Sequence, residues 1–387
     1  MRRTATGPLA GVRILELEAI GPVPFCGMML ADMGADVLLV DRPGDSGLGL
    51  GGPRACDIMF RGRRSITLDL KRAESVDVVL DVAERADALI EGFRPGVLER
   101  LGLGPRRLHE RNAKLVIGRG TGWGQQGPLA SRAGHDINYI ALTGALHAIG
   151  RAGQKPVPPL NLIGDFGGGG MLLAYGVVCA LLEARSSGRG QVVDAAMIDG
   201  ASLLTTMFWG VQAAGQWSQE RGTNVLDSGA PWYDVYETAD AKYVAIGAIE
   251  PKFYAEMLKR LNLSESELPR QHDPAGWPAL RARFTAVFRS RTRDEWSELF
   301  AGSDACFAPV LAFDEAASHR HAAERGAHAT LAGVLQPAPA PRFSRTREAM
   351  TDGPPERGAK GREALRDWGF NETEIAQLVA RGAGIRG

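Results

Sequence analysis

Two apolar periods organise the first half of this chain. Residues 12–17 form a short run rich in Val, Ile and Leu, followed by the breaker Gly21-Pro22-Val23-Pro24. A helical pattern then runs to Met33 and a second apolar run covers 35–40, so the segment predicts a βαβ unit. The second strand ends in Asp41-Arg42-Pro43, at the carboxyl edge where open α/β sheets bind ligands. A glycine-rich stretch, 44–52, precedes the basic loop Arg61-Gly62-Arg63-Arg64, which enters another strand and leads to Leu68-Asp69-Leu70-Lys71. Residues 76–86 read as helix, and 88–91 and 115–119 as strands. Alternating α and β elements predict a parallel sheet.

After Pro156-Val157-Pro158-Pro159 the pattern predicts a turn at Asp165, a buried helix over 168–185, a strand over 191–197 and a helix from Asp199. From about Ser228 the texture changes. Residues 233–237 and 243–247 read as a hairpin, and the helices opening at Pro251 and Arg293 are rich in charge, which predicts a second, smaller domain. The segment 337–362, rich in Pro, Gly and charge, is expected to run extended over the surface. A last helix opens at Asn371, with Glu374 three residues on in a near-match to the capping box.

Composition narrows the function classes. A chain of 387 residues exceeds one ordinary core, in keeping with two domains. Its 45 acidic and 45 basic residues balance, which removes the broad basic footprint of a nucleic-acid or anionic-membrane binder. Any positive site must be local. Cys26, Cys56, Cys179 and Cys306 are far apart and read as reduced and structural. Met1-Arg2-Arg3 leads into no apolar segment, so no signal peptide is expected. The apolar stretch 171–182 reads as too short to span a bilayer, and Ile385-Arg386-Gly387 is not a peroxisomal address. A soluble cytoplasmic protein is the expectation.

Gly47, Gly49 and Gly52, and again Gly122, Gly124 and Gly127, match a dinucleotide-type glycine spacing, but neither set opens a helix directly after a strand. Two other residues have a richer chemical setting. His135, in Gly134-His135-Asp136-Ile137-Asn138-Tyr139, carries a carboxylate and a tyrosine beside its imidazole, although a satisfied turn histidine has the same surroundings. Asp165 leads Phe166-Gly167-Gly168-Gly169-Gly170 into an apolar run, where its side chain can cap the helix. The glycines there can let a ligand approach the backbone, and the helix-start amides can hold an anion such as an enolate oxygen. Glu250, between a strand and the Pro251 helix, reads equally as a solvated loop residue. Arg42, Arg64, Lys71, Arg94 and Arg100 come from different βα edges of one region and could converge on phosphates.

Taken together these segments resemble a known family. Gly21-Pro22, Leu30-Ala31-Asp32-Met33-Gly34-Ala35-Asp36-Val37, Asp41-Arg42-Pro43, Asp69-Leu70-Lys71, Glu91-Gly92-Phe93-Arg94-Pro95-Gly96, Thr121-Gly122-Trp123-Gly124-Gln125, the His135 and Asp165 segments and Gly247-Ala248-Ile249-Glu250-Pro251 are similar to the α-methylacyl-CoA racemase branch of the class III CoA-transferase superfamily. The resemblance implies an α/β fold with a Rossmann-like large domain, a smaller α+β domain and an interlocked homodimer. It places the large domain at 1–195 and 341–387 and the small domain at 233–320, with linkers at 196–232 and 321–340.

In chemistry, the resemblance implies interconversion of (2R)- and (2S)-2-methylacyl-CoA by 1,1-proton transfer. His135 and Asp165 would be the two bases. For Asp165 to act as an acid it must be partly protonated, which desolvation or the nearby Asp136 could arrange, and the resemblance implies that Glu250 of the second subunit would orient His135. The matching CoA contacts are Arg42, Leu68, Asp69, Leu70, Lys71, Gly92, Phe93, Arg94, Arg100, Gly134, Asn138 and Tyr139. CoA is part of the substrate, so no separate cofactor is implied, and neither nucleic acid nor membrane is an expected partner. In the transferase branch the residue matching Asp165 would instead be a nucleophile forming an acyl anhydride. A non-catalytic CoA-binding protein is a third reading. The stretch 44–52 is longer than the usual loop, and the tail beyond Arg345 matches weakly.

Overall fold

The computed structural model describes residues 6–44, 47, 51–347 and 350–386. Most of the glycine-rich stretch 44–52 lies outside the described residues. The chain divides into two units, one of Met1–Thr143, Pro159–Thr205 and Gly326–Gly387, the other of Gly144–Pro158 and Thr206–Arg325.

The first unit is built on a parallel six-stranded sheet of β1 (Arg13–Leu17), β2 (Asp36–Asp41), β3 (Arg63–Thr67), β4 (Ala88–Glu91), β5 (Val116–Thr121) and β6 (Val192–Ala196). Its order, β3-β2-β1-β4-β5-β6, is that of a doubly wound dinucleotide-type fold, with the order reversing between β1 and β4. Both faces are covered, and this explains the continuous apolar runs. Ile14, Val37, Ala88 and Ile90 point into one core with Val23 and Leu30 of α1 (Pro22–Asp32). Leu15, Leu17, Leu38 and Leu89 point into the other with α2 (Ala73–Ala83). Each Val, Leu or Ile among them fully removed from water contributes about 1.5–3 kcal/mol.

The C-terminal segment completes the second core through Trp368, Phe370, Ile375 and Leu378, and the Trp368 indole N–H donates to Asp36 at 2.9 Å. The last helix, Glu372–Ala380, opens on the capping box expected from sequence, Asn371 with Glu374. In the second unit, β7 (Tyr233–Glu237), β8 (Tyr243–Gly247) and β9 (Phe307–Pro309) form an antiparallel sheet. Phe284, Phe288 and Trp296 of its helices pack in the core of that unit.

The unit boundaries differ from the expected ones. Residues 144–158 leave the sheet unit and join the second one, and the supposed linker 196–232 is divided at Thr205. Part of the other linker, from Gly326 on, belongs to the sheet unit and forms a hairpin of β10 (His328–Leu331) and β11 (Val334–Pro337). Gln336 anchors it there by accepting from the buried Arg61 at 2.9 Å, a side-chain bond that composition does not reveal.

The apolar helix also starts earlier than its sequence pattern suggests. A π-helical segment, Leu162–Met171, runs directly into α4 (Leu172–Ser187). The joined helix of 26 residues is long and apolar enough to cross a membrane by length and composition, which corrects the shorter stretch read from sequence. One stripe of it, including Leu173 and Val177, is nevertheless core to the sheet.

Candidate active site

The site grows from strand ends on the carboxyl edge of the sheet. Beyond β1, Gly21 adopts φ 68° and leads into α1. A Cβ there would stand 3.3 Å from Asp165 Oδ2, so the absent side chain leaves room for the carboxylate. Beyond β5, Gly122 admits the Tyr139 ring, which a Cβ would meet at 2.2 Å. Tyr139 is held edge-on by Trp123 at 4.8 Å, and its hydroxyl donates to the Gly134 carbonyl.

His135 immediately precedes α3 (Asp136–Ala141), in extended conformation, with its own N–H donated to Asn138 Oδ1 at 3.0 Å. Its side chain is exposed, whereas Asp136, the next residue, is buried. Asp136 Oδ2 accepts the backbone N–H of Asp165 at 2.7 Å, which ties the start of α3 to the π-helical segment. Asp136 Oδ1 is buried with no hydrogen-bond partner among the described residues. Asp165 Oδ2 accepts from Asn161 Nδ2 at 3.0 Å.

The electrostatics follow from this packing. Burial pushes the Asp165 carboxyl above the usual carboxylate range, and the nearby Asp136 charge adds to the effect. The Asn161 hydrogen bond and His135 oppose it. Tyr139 is pushed up to about 12, first by burial and then by the Asp165 charge, while Arg94 pulls the other way. His135, Asp136, Tyr139 and Asp165 therefore share one electrostatic environment, and Arg94 reaches it from the β4 edge.

Two expectations about the Asp165 segment are overturned. Asp165 lies inside the π-helical segment rather than capping a helix behind it. A π-helix pairs each amide with the carbonyl five residues back, so the amides of Gly167 to Gly170 are engaged within the helix. These glycines serve helix packing instead of ligand approach. A Cβ on Gly168 would meet the Ala201 backbone N at 2.6 Å, on Gly169 Met197 and Pro22, and on Gly170 Phe25. Among the described residues, the amides nearest His135 that have no partner are those of Asp136 and Ile137, because the first bond of α3 is donated by Asn138 to the His135 carbonyl at 2.8 Å.

Besides Gly134, Asn138 and Tyr139 beyond β5, the candidate CoA contacts are distributed over three further strand ends. Gly92, Phe93 and Arg94 form the loop after β4, and Arg100 ends the short helix Val97–Arg100 beyond it. Arg42 follows β2, while Asp69, Leu70 and Lys71 follow β3, where Asp69 Oδ1 accepts the Lys71 N–H at 3.1 Å. Arg42, Lys71, Arg94 and Arg100 are exposed. The Leu68 side chain is only 1% exposed and belongs to the core, which leaves only its main chain to face a ligand. Arg64 is likewise buried, paired to Asp36 and Asp367, and unavailable to a phosphate. Glu250 lies in the second unit, exposed at the start of the helix Pro251–Arg260, and its carboxylate caps nothing. Gln271 steadies the turn before it, donating to the carbonyls of Ala248 and Ile249 at 2.9 and 3.0 Å.

Sequence reasoning missed the support behind the β4 loop. Glu91 and Arg119 face each other in the register of β4 and β5 and pair at 2.8 Å. Arg119 also binds Glu99 at 2.8 Å, while Glu91 Oε2 accepts the Phe93 N–H at 2.6 Å. Burial raises Glu91 to about 6 even with Arg119 beside it. Asn161 was missed as well: it lies four residues before Asp165, and the helical turn that joins them reads in sequence as a loop.

With this geometry in hand, a family model described as CoA-transferase family III matches residues 9–361. The chain belongs to that family. It is 48% identical over 374 residues to an α-methylacyl-CoA racemase of Mus musculus and 43% identical over 376 residues to one of Homo sapiens, each match covering 96% of both chains. The solved structure of a CaiB/BaiF family protein from Brucella suis superposes with TM-score 0.80 at 25% identity, covering 94% of this family III chain and 100% of that one.

Proposed function

We propose that this chain is a racemase that interconverts (2R)- and (2S)-2-methylacyl-CoA thioesters through an enolate. The observation that carries it is the convergence of a histidine and a partly buried, pKa-raised aspartate on one site, with Asp136 between them. The racemase relatives, matched over nearly their full length, support the same reaction.

The thioester carbonyl acidifies C2, and inversion there needs a proton taken from one face and another returned to the other. The His135 imidazole takes the C2 proton, and the C–H electron pair becomes the enolate. Asp165, whose burial favours its protonated form, then gives its proton to the opposite face. The step ends with an imidazolium and a carboxylate, which are the acid and base needed by the other epimer. Positioned proton transfer of this type contributes roughly 10²–10⁴ in rate. The Asp136 and Ile137 amides take over the enolate-binding role first assigned to 167–170, and one such donor is typically worth about 3–4 kcal/mol in the transition state. CoA supplies the activating thioester, so the reaction requires no separate cofactor.

Glu250 orients His135 from the second subunit of a homodimer. A dimer is supported by apolar side chains left exposed on a single chain. Met171, Tyr175, Val178 and Leu182 form a stripe along the long helix, with Tyr175 70% and Leu182 67% exposed. Leu203 and Leu204 in the same unit, and Met207 and Trp209 in the other, are exposed too. Such patches mark association surfaces.

The test is incubation of pure (2R)-2-methylacyl-CoA in D₂O, following deuterium at C2 alongside CoA exchange with a free carboxylic acid. Label at C2 with loss of optical purity and no exchange is expected. Exchange without label would assign Asp165 to anhydride chemistry instead, and full epimerisation by His135→Ala or Asp165→Ala would end the two-base mechanism.

A further inference from the structure

Arg42 lies at the carboxyl end of β2 with both of its backbone groups held. Its N–H donates to Glu18 Oε2 at 2.7 Å, and its carbonyl accepts from Arg357 Nη1 at 3.1 Å. Arg357 also donates to Glu18 at 3.2 Å and to Asp41 Oδ1 at 3.3 Å. Asp41 is further neutralised by Arg54 at 2.9 Å and accepts a hydrogen bond from the Ser65 hydroxyl. The two carboxylates beside Arg42 are therefore already answered by other arginines, and no carboxylate pairs with the exposed Arg42 side chain among the described residues.

Arg357 belongs to a segment fastened to the sheet rather than trailing from it. Gly62 donates to the Asp352 carbonyl at 2.8 Å, Arg54 to the Pro355 carbonyl at 3.2 Å, Gly358 to Ser65 Oγ at 2.9 Å and Ser65 to the Ala359 carbonyl at 2.9 Å. This strap lies along β3, the edge strand, and carries its guanidinium to the ends of β1 and β2. The chain thus supplies a cation from more than 300 residues away to a place where Glu18 would otherwise attract Arg42. An unpaired guanidinium at the carboxyl edge of a parallel sheet is a fork for a phosphate group.

We propose that Arg357 is a positioning residue: it fixes the Arg42 main chain and neutralises Glu18 and Asp41, leaving the Arg42 guanidinium free for a phosphate of the CoA moiety. The proposal rests on the acyl-CoA reading above. Without Arg357, Arg42 turns toward Glu18 and an incoming phosphate must displace that contact. The device has the same logic as a catalytic residue kept from the wrong partner, applied to binding.

Calorimetric titration of the full-length protein with CoA, and kcat and KM for C2 deuterium exchange, test it on Arg42→Ala, Arg357→Ala and the double variant. Arg42→Ala is expected to weaken CoA binding at least tenfold. Arg357→Ala should weaken it about tenfold, raise KM and leave kcat within about twofold, and the double variant should bind no worse than Arg42→Ala. Adding Glu18→Gln to Arg357→Ala removes the competing charge and should restore most of the affinity, a recovery that a merely unfolded tail would not show. Wild-type CoA affinity in Arg42→Ala would overturn the assignment of Arg42 to CoA itself. If Arg42→Ala weakens binding but Arg357→Ala does not, or the two losses add in full, the positioning role is overturned while the acyl-CoA reading stands.

Discussion

Gly164→Ala probes the contact that joins the two proposed bases. The glycine is not at a positive φ, so alanine meets no backbone penalty and the effect is steric. The added Cβ would stand 2.5 Å from Asp136 Oδ2, 2.9 Å from its Cγ and 3.3 Å from its Cα. Rotation of the carboxylate alone does not relieve the last contact, and Asp136 is only 5% exposed, with no space to retreat into. The 2.7 Å bond from the Asp165 amide to Asp136 is therefore lost or badly bent. A hydrogen bond to a charged group is worth about 1.5–3 kcal/mol net, and overpacking adds about 1–3 kcal/mol. A stability loss of about 3 kcal/mol is expected in urea unfolding. At about 1.4 kcal/mol per tenfold, even half of that felt at the reacting centre lowers the C2 exchange rate about tenfold. In an Asp136→Ala background the two closest contacts and the hydrogen bond are gone and only the 3.3 Å approach to the Cα of residue 136 remains, so the cost of Gly164→Ala should fall to about 1 kcal/mol. Wild-type stability and exchange in the single variant, or an undiminished cost in that background, would refute the contact as the cause.

Three further outcomes follow from the same structure. Asn161→Ala removes the hydrogen bond that holds the Asp165 pKa down against burial and Asp136, so that pKa rises. Turnover in the direction that needs ionised Asp165 then loses its acidic limb at higher pH than wild type, while the opposite direction keeps its rate further into the alkaline range; pH profiles that coincide with wild type would count against the assignment. Glu91 is raised from the ordinary 4.5 to about 6, so its protonated form is favoured by folding. Its contribution is largest below 4.5 and falls by about 2 kcal/mol as pH rises through 6, so the unfolding free energy of wild type minus Glu91→Gln should fall by that amount across the window, and a flat difference rejects the shift. Tyr175→Glu and Leu182→Glu change side chains that are exposed on the single chain, so each should keep its far-ultraviolet circular dichroism while sedimenting as a monomer with little exchange activity; a fully active monomer would sink the shared site.

Much of the sheet unit was legible because parallel strands covered on both faces are largely apolar, and the run Val37 to Val40 records that demand. The capping residues Asn371 and Glu374 were legible because a helix start is satisfied locally. The π-helical segment was not. Its glycines looked like a turn, and only the approach of Gly200, whose Cβ would lie 1.9 Å from the Gly168 carbonyl, shows that they permit helices to pack backbone to backbone. The same limit hid the roles of Leu68 and Arg64, since neither core membership nor an ion pair to Asp367 can be read from neighbours in the chain.

Sequence by itself determined the strand and helix alternation, the family, and the residue types at the site: an imidazole at His135, carboxylates at Asp136 and Asp165, and arginines at the strand ends. Those are local or chemical properties, carried by each residue wherever it goes. Tertiary structure decided which groups are free to act. It engaged the amides of 167–170 in a helix, joined Asp136 to the Asp165 amide, gave Asp165 its Asn161 partner and brought Arg357 to Arg42. The reason is physical: pKa, hydrogen-bond availability and charge pairing depend on distance and burial, and whether the residues concerned are four, 29 or 315 positions apart these quantities exist only once the chain has folded.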